Sequence, residues 1–182
     1  NLTGVNMEWY KITNYLGYLA IAICLVFAIV GLVQLIQRKS LLKVDREILA
    51  LGGLFVADIA MYALFEKVII NYRPIFIDGT TEPEASFPSS HTLLAITVMI
   101  ATAIIIGHYV KPGGLAALIR VLCVVITVVA VGGRLWCGAH WLTDIVGGVL
   151  LSITLLLFFS AAAETEDERY EYAPSRGKGL TS

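Results

Sequence analysis

Five apolar stretches, each roughly 20 residues long, recur along this chain, and a water-soluble fold of 182 residues has no core large enough to bury them all. An α-helix rises about 1.5 Å per residue and the hydrocarbon core of a bilayer is about 30 Å thick, so each stretch is long enough to cross. They run from Tyr15 to Ile36, Ile48 to Ile70, Thr92 to Val110, Leu115 to Val131 and Trp141 to Ser160. Each is predicted to be helical, because an open strand edge in lipid leaves backbone groups without partners. The expected architecture is therefore all-α, a polytopic transmembrane bundle. Residues 1–163 form one membrane domain, and residues 164–182, which begin acidic and end in Ser, Gly and Lys, form a polar cytoplasmic tail.

Composition narrows the function classes. Hydrophobic residues make up 58% of the chain and charged residues 15%, which leaves lipid as the solvent. A net charge of -1 without a long basic run gives no electrostatic footprint for nucleic acid. Cys24, Cys123 and Cys137 are odd in number and form no CxxC, so they read as small hydrophobes, with neither a disulfide framework nor a metal site implied. Short cytoplasmic loops collect Lys and Arg. Arg38, Lys39, Lys43 and Arg46 lie between the first two stretches and Lys111 between the third and fourth, so these links are assigned to the cytoplasm. The links from Asn71 to His91 and from Gly132 to His140 then face outside.

Those two outer links hold nearly all the residues able to bind an anion or move a proton. One reads Asn71-Tyr72-Arg73-Pro74 and later Ser86-Phe87-Pro88-Ser89-Ser90-His91; the other reads Gly133-Arg134-Leu135-Trp136-Cys137-Gly138-Ala139-His140, followed by Asp144. His140 and Asp144 are spaced to share one helical face, where the carboxylate can accept from one ring nitrogen and leave the other as an outward lone pair. A nucleophilic or general-base histidine requires that arrangement. A His–Asp pair that only packs is the alternative. Arg73 and Arg134 suit two-pronged binding of phosphate oxygens, or contact with lipid headgroups. Ser89 and Ser90 precede an apolar helix, so one of them is expected to cap it while the first-turn amides face an anion. His91 stands at the same helix start, placed to pass a proton or simply to sit wet at the membrane surface.

These pieces, in this order, resemble the signature of the type 2 phosphatidic acid phosphatase superfamily, which includes lipid phosphatases and vanadium haloperoxidases. The family pattern is a Lys, six residues, Arg-Pro; then Pro-Ser-Gly-His; then Ser-Arg, five residues, His, three residues, Asp. Here Arg73-Pro74, Pro88-Ser89-Ser90-His91, and Arg134 with His140 and Asp144 carry the match. The resemblance implies a metal-independent and cofactor-free phosphatase. His140 would attack phosphorus, Asp144 support it and His91 protonate the leaving oxygen, with Arg73, Arg134, Ser89 and Ser90 holding the phosphoryl group. The implied substrate is a lipid phosphate at the outer face of a bacterial cytoplasmic membrane: undecaprenyl diphosphate first, then phosphatidylglycerophosphate and phosphatidic acid. A lipid phosphotransferase shares the first half-reaction, and a catalytically silent lipid-phosphate-binding or scaffold protein is the rival from another class.

Three departures stand out. Ser90 replaces a Gly, Gly133 replaces the Ser before the second arginine, and Lys67 lies one position too close to Arg73, with Glu66 in the family's lysine place. One residue of slip rotates a side chain by about 100° on a helix, so Lys67 serves as a phosphate ligand only if the segment near Asn71 is irregular. Family members with six spans carry the first motif at the end of the third. Here it ends the second, which leads to the expectation that a helix precedes Asn1. Asp58, midway along the second stretch, is expected to hydrogen-bond Tyr62 or a neighbouring helix; a role in substrate or proton transport is the alternative.

The orientation is testable in a variant stripped of its native cysteines. A cysteine placed at Glu82 is expected to react with a membrane-impermeant maleimide on intact cells, and one at Ser40 to be protected. The reverse pattern would invert the topology.

Overall fold

The computed structural model describes residues 5–76, 81–111 and 113–164, so the polar tail expected after residue 164 lies outside the described residues. Five helices make up the bundle: α1 (Met7–Arg38), α2 (Arg46–Lys67), α3 (Ser90–Tyr109), α4 (Gly113–Trp136) and α5 (Leu142–Ala163). All five are long and apolar enough to cross a membrane. Consecutive helices alternate in direction, so the links 68–89 and 137–141 meet at one end of the bundle. The α1–α2 link, with a short 3-10 turn at Leu41–Lys43, lies at the other.

α3 is the axis. It packs against each of the other four helices, and Thr97, Val98, Met99 and Ala101 on successive sides of it are fully buried. The outer helices instead turn large apolar side chains outward, among them Leu25, Ile29, Val56, Ile59, Val128 and Phe158. In water that surface would be an aggregation site; in a bilayer it is the lipid-facing belt. Between the helices, Phe27, Leu51, Ile105 and Phe159 form one core cluster at the end away from the site. Ala20, Val98, Met99 and Cys123 form a second at mid-depth.

Helix ends differ from the sequence expectation by up to eight residues, and the two largest differences have local causes. α1 starts eight residues earlier than hydropathy suggests, because Asn6 caps it, accepting from Trp9 N at 3.1 Å. The added turns carry Trp9 and Tyr10 onto Cys137 and Ala139. α2 ends at Lys67 rather than at Ile70. α4 continues through Gly132 and Gly133 to Trp136, so Arg134 belongs to its last turn and not to a link. Gly133 allows this because α1 crosses there: a Cβ on it would lie 2.6 Å from Thr13 Cγ2 and 3.1 Å from Trp9 Cε3. The missing serine of the family pattern thus has a packing reason. Past the helix, Gly138 turns the chain with φ of 72°, a conformation that favours glycine.

Asp58 is buried and accepts from Thr97 Oγ1 of α3 at 2.7 Å, so of the two partners expected for it the neighbouring helix is the one used. At the far end, Asp45 accepts from Arg38 and Gln34, both at 2.6 Å, which closes the α1–α2 link.

Gly133→Ala is expected to destabilise the protein by about 1–3 kcal/mol through overpacking against Thr13. A thermal midpoint in detergent equal to that of the unaltered protein would contradict this account of the α1–α4 contact.

Candidate active site

The link between α2 and α3 is held in shape before it reaches the histidines. Tyr72 and Ala85 face each other in an antiparallel bridge, with Arg73 N donating to Glu84 O and Ser86 N to Asn71 O, both at 3.0 Å. Trp141 adds its indole N–H to Tyr72 O at 2.9 Å. Arg73 and Ser86 are thereby fixed side by side over the start of α5.

Asp144, in the first turn of α5, is completely buried and collects donors from both outer links. Its Oδ1 accepts from Asn71 Nδ2 at 2.9 Å. Its Oδ2 accepts from Trp141 N at 2.9 Å and from the Ser86 hydroxyl, and lies 3.5 Å from His140 Nδ1. Ser89 N also donates to the Asp144 carbonyl at 3.1 Å, tying the start of α3 to the same residue. A buried carboxylate is tolerated only when paired and hydrogen-bonded, and here four donors converge on it.

His140 sits in the link between α4 and α5, 5% exposed. Its Nε2 lies 3.3 Å from Arg73 Nη1. A guanidinium only donates, so Nε2 is the acceptor and carries the lone pair. Nδ1 is then the protonated nitrogen, and it faces three acceptors: Ser86 O at 3.2 Å, Ser86 Oγ at 3.3 Å and Asp144 Oδ2. The tautomer is fixed from both sides. Burial lowers the pKa of His140 below the usual histidine value; the Asp144 hydrogen bond works against this, while Arg73 and Arg134 add to the lowering. The ring is accordingly neutral near pH 7, with its free lone pair at Nε2.

His140 borders a cavity of about 580 Å³ whose wall also includes Arg73, Ser90 and His91, with Tyr62, Phe65 and Glu66 of α2 opposite. Both histidines, separated by 49 positions in sequence, therefore face one space. Ser89 is the residue that caps α3, accepting from Thr92 N at 3.4 Å. Ser90 takes the first helical position without a left-handed backbone, so glycine is not required where the family pattern has it.

Two expected phosphate ligands are placed differently. Arg134 is 1% exposed and does not border the cavity; its Nη2 donates to Asn14 Oδ1, and its guanidinium lies 4.9 Å from the Tyr10 ring centre. Its Nε and Nη1 are buried without hydrogen-bond partners. Lys67 is exposed at the last position of α2 and is not among the cavity residues, whereas Glu66 is. The helix runs regularly up to Lys67, so the irregularity that would bring its side chain round begins one residue too late.

Four residues with clear structural roles carried no assignment from sequence. Asn71 and Ser86 serve Asp144, Asn14 holds Arg134, and Glu84 pairs with Arg73 Nε at 3.1 Å. Asn71 and Ser86 could have been marked by their place in polar links flanked by lipid-length apolar runs. Asn14 lies in a turn that hydropathy left out of α1, and Glu84 near a segment without local pattern.

Asn71→Ala removes the donor to Asp144 Oδ1 and is expected to cost about 1–3 kcal/mol, read as a lower thermal midpoint in detergent. An unchanged midpoint would mean that the link is not held through this bond.

The comparisons with known proteins agree with this architecture. The model of the PAP2 superfamily matches residues 11–167. Phosphatidylglycerophosphatase B of Bacillus subtilis (strain 168) is 30% identical over 106 residues, 58% of this chain and 51% of the relative, so the match spans about half of that relative's length. The fold is similar to the crystal structure of a transmembrane PAP2 type phosphatidylglycerolphosphate phosphatase from Bacillus subtilis. The TM-score is 0.63 with 21% identity, covering 90% of this chain and 79% of that one. With a family match running from α1 to the end of α5 and the same helical fold, this chain belongs to the PAP2 superfamily.

Proposed function

We propose that this protein is a lipid phosphate phosphatase that works through a phosphohistidine at the extracytoplasmic face of a bacterial cytoplasmic membrane. The observation that carries the reading is His140, neutral and locked with its Nε2 lone pair against Arg73, on a cavity shared with His91. His140 Nε2 attacks phosphorus, forming an N–P bond as the bond to the lipid oxygen breaks. His91 delivers a proton to that departing oxygen. Water then gives a proton back to His91 and attacks phosphorus; the N–P bond breaks, releasing inorganic phosphate and restoring His140.

Charge on the transferring group is balanced by Arg73 and by the amides at the start of α3, with Ser89 capping and Ser90 presenting its N–H, while the buried guanidinium of Arg134 adds positive charge from behind the cavity wall. Asp144 stabilises the imidazolium character that develops on His140. No step in this sequence calls on a metal ion or cofactor. Lys67, which does not line the cavity, is left out of the ligand set, and Glu66, in the family's lysine position on the cavity wall, makes the site less cationic than the family pattern.

The cavity lies at the end of helices long enough to span a bilayer, so a phosphate at headgroup level can enter while its tail stays in lipid. The name of the curated relative favours phosphatidylglycerophosphate as substrate. Phosphatidic acid and undecaprenyl diphosphate offer the same terminal phosphoryl group.

The test is phosphate release from these lipids by the purified protein. His140→Ala is expected to lose at least about 1,000-fold in kcat, and activity that persists in this variant would remove the mechanism. Because burial lowers the pKa of His140, the acid-side decline of kcat/KM, where Nε2 takes up a proton, is expected to lie below pH 6.5. A decline centred above 6.5 would mean that His140 is not the group titrating.

A further inference from the structure

Asp58 has no part in the chemistry above, yet it lies close to it. A second cavity of about 470 Å³ opens between α1, α2 and α3 and is lined by Tyr18, Ile21, Asp58, Ile59 and Leu94, together with His91. It shares Tyr62, Ser90, His91 and Leu93 with the cavity at His140, so the two adjoin at the level of His91. Apart from Asn14 and Tyr10, its remaining walls are apolar, and Tyr18, Ile59 and Tyr62 are also exposed on the lipid-facing surface. The tail of a lipid whose phosphate rests at His140, on passing His91 and Tyr62, enters this groove towards the bilayer centre.

Asp58 interrupts that apolar wall. It is 6% exposed, Thr97 holds its Oδ2 at 2.7 Å, and its Oδ1 is buried without a hydrogen-bond partner. No cation pairs with it among the described residues. Thr97 stands six positions beyond His91 on α3, which places the pair about 9 Å below the histidine along the helix axis. At about that depth below its phosphate, phosphatidic acid carries its acyl ester linkages. A polyprenyl diphosphate carries only hydrocarbon there, against which an unpartnered carboxyl is costly.

We propose that Asp58 is a specificity-determining residue that hydrogen-bonds an acyl ester carbonyl of a glycerophospholipid seated in this groove, favouring such lipids over polyprenyl diphosphates. A carboxyl in hydrocarbon without a cationic partner is a carboxylic acid, so it can donate to a carbonyl oxygen. Thr97 keeps the other oxygen occupied and thereby aims the group. Asp58 acts on substrate choice and not on the reacting atoms. The inference rests on the phosphatase reading and refines it by naming the substrate class.

The experiment measures phosphate release by the full chain in mixed micelles from three substrates: diacyl phosphatidic acid, its diether analogue lacking both carbonyls, and undecaprenyl diphosphate. The unaltered protein is expected to favour the diacyl over the diether lipid by about 10-fold in kcat/KM, mostly through KM, the amount that one hydrogen bond to a buried group represents. Asp58→Leu is expected to erase that preference and to raise kcat/KM on undecaprenyl diphosphate, because the carboxyl that opposes its hydrocarbon is gone. Asp58→Asn, whose amide can still donate, is expected to keep most of it. The diacyl-to-diether ratio of the unaltered protein needs no variant to fold, and a ratio of one overturns the inference. So does a preference that survives in Asp58→Leu, or an equal fall on all three substrates. Activity confined to the polyprenyl lipid would overturn it while leaving the phosphatase reading intact; release from none of the three would end both.

Discussion

Everything at the site end of the bundle hangs on one buried carboxylate. Asp144 has no solvent exposure, and its two oxygens are shared among Asn71 and Ser86 from one link, the Trp141 amide at the start of its own helix, and the His140 ring. An unpaired charge in that position would cost several kcal/mol. The link from residue 68 to 89 and the α4–α5 link therefore come together because each brings donors that the carboxylate needs. Stability and chemistry use the same atoms: the group that ties the links also sets the tautomer of His140, leaving Nε2 with its lone pair beside Arg73.

The helices set the location of this knot. α3 is surrounded by the other four, so its first turn is carried to a fixed place, where Ser89 caps it and binds the Asp144 carbonyl through its own amide. His91 follows from that placement. α1 contributes by approaching α4 closely at Gly133 and by supplying Asn14 and Tyr10, which hold the Arg134 guanidinium just behind the histidines. The departures from the family pattern become readable in these terms. Gly133 is required by α1, Ser90 adopts an ordinary helical backbone, and the lysine position has become Glu66.

Much of this was legible in the residues, and the parts that were not have physical reasons. Span existence follows from hydropathy, because the bilayer imposes one length on every crossing helix. Span ends do not, because they are set by caps and interhelical contacts: Asn6 extends α1 and the α1–α4 crossing extends α4, and neither leaves a hydropathy signal. His140, His91 and Arg73 could be singled out because ionisable residues are rare between apolar runs, and their common cavity follows from the alternating helix directions. Asn71 and Ser86 lay in the same links but are common polar residues, whose role appears only once Asp144 is seen to need donors. Lys67 illustrates the limit of spacing arguments, since a single position on a regular helix decides whether a side chain lines the cavity, as Glu66 does and Lys67 does not.

The account stands on a single phosphorus atom fitting between His140 Nε2 and His91. An experimental structure of the protein soaked with vanadate, which takes up five ligands as phosphorus does in transfer, measures this directly. The prediction is vanadium bonded to His140 Nε2, with its oxygens on Arg73 and the start of α3 and the opposite apical oxygen on His91. Vanadate bound away from His140, or bound there with His91 out of reach, would contradict it.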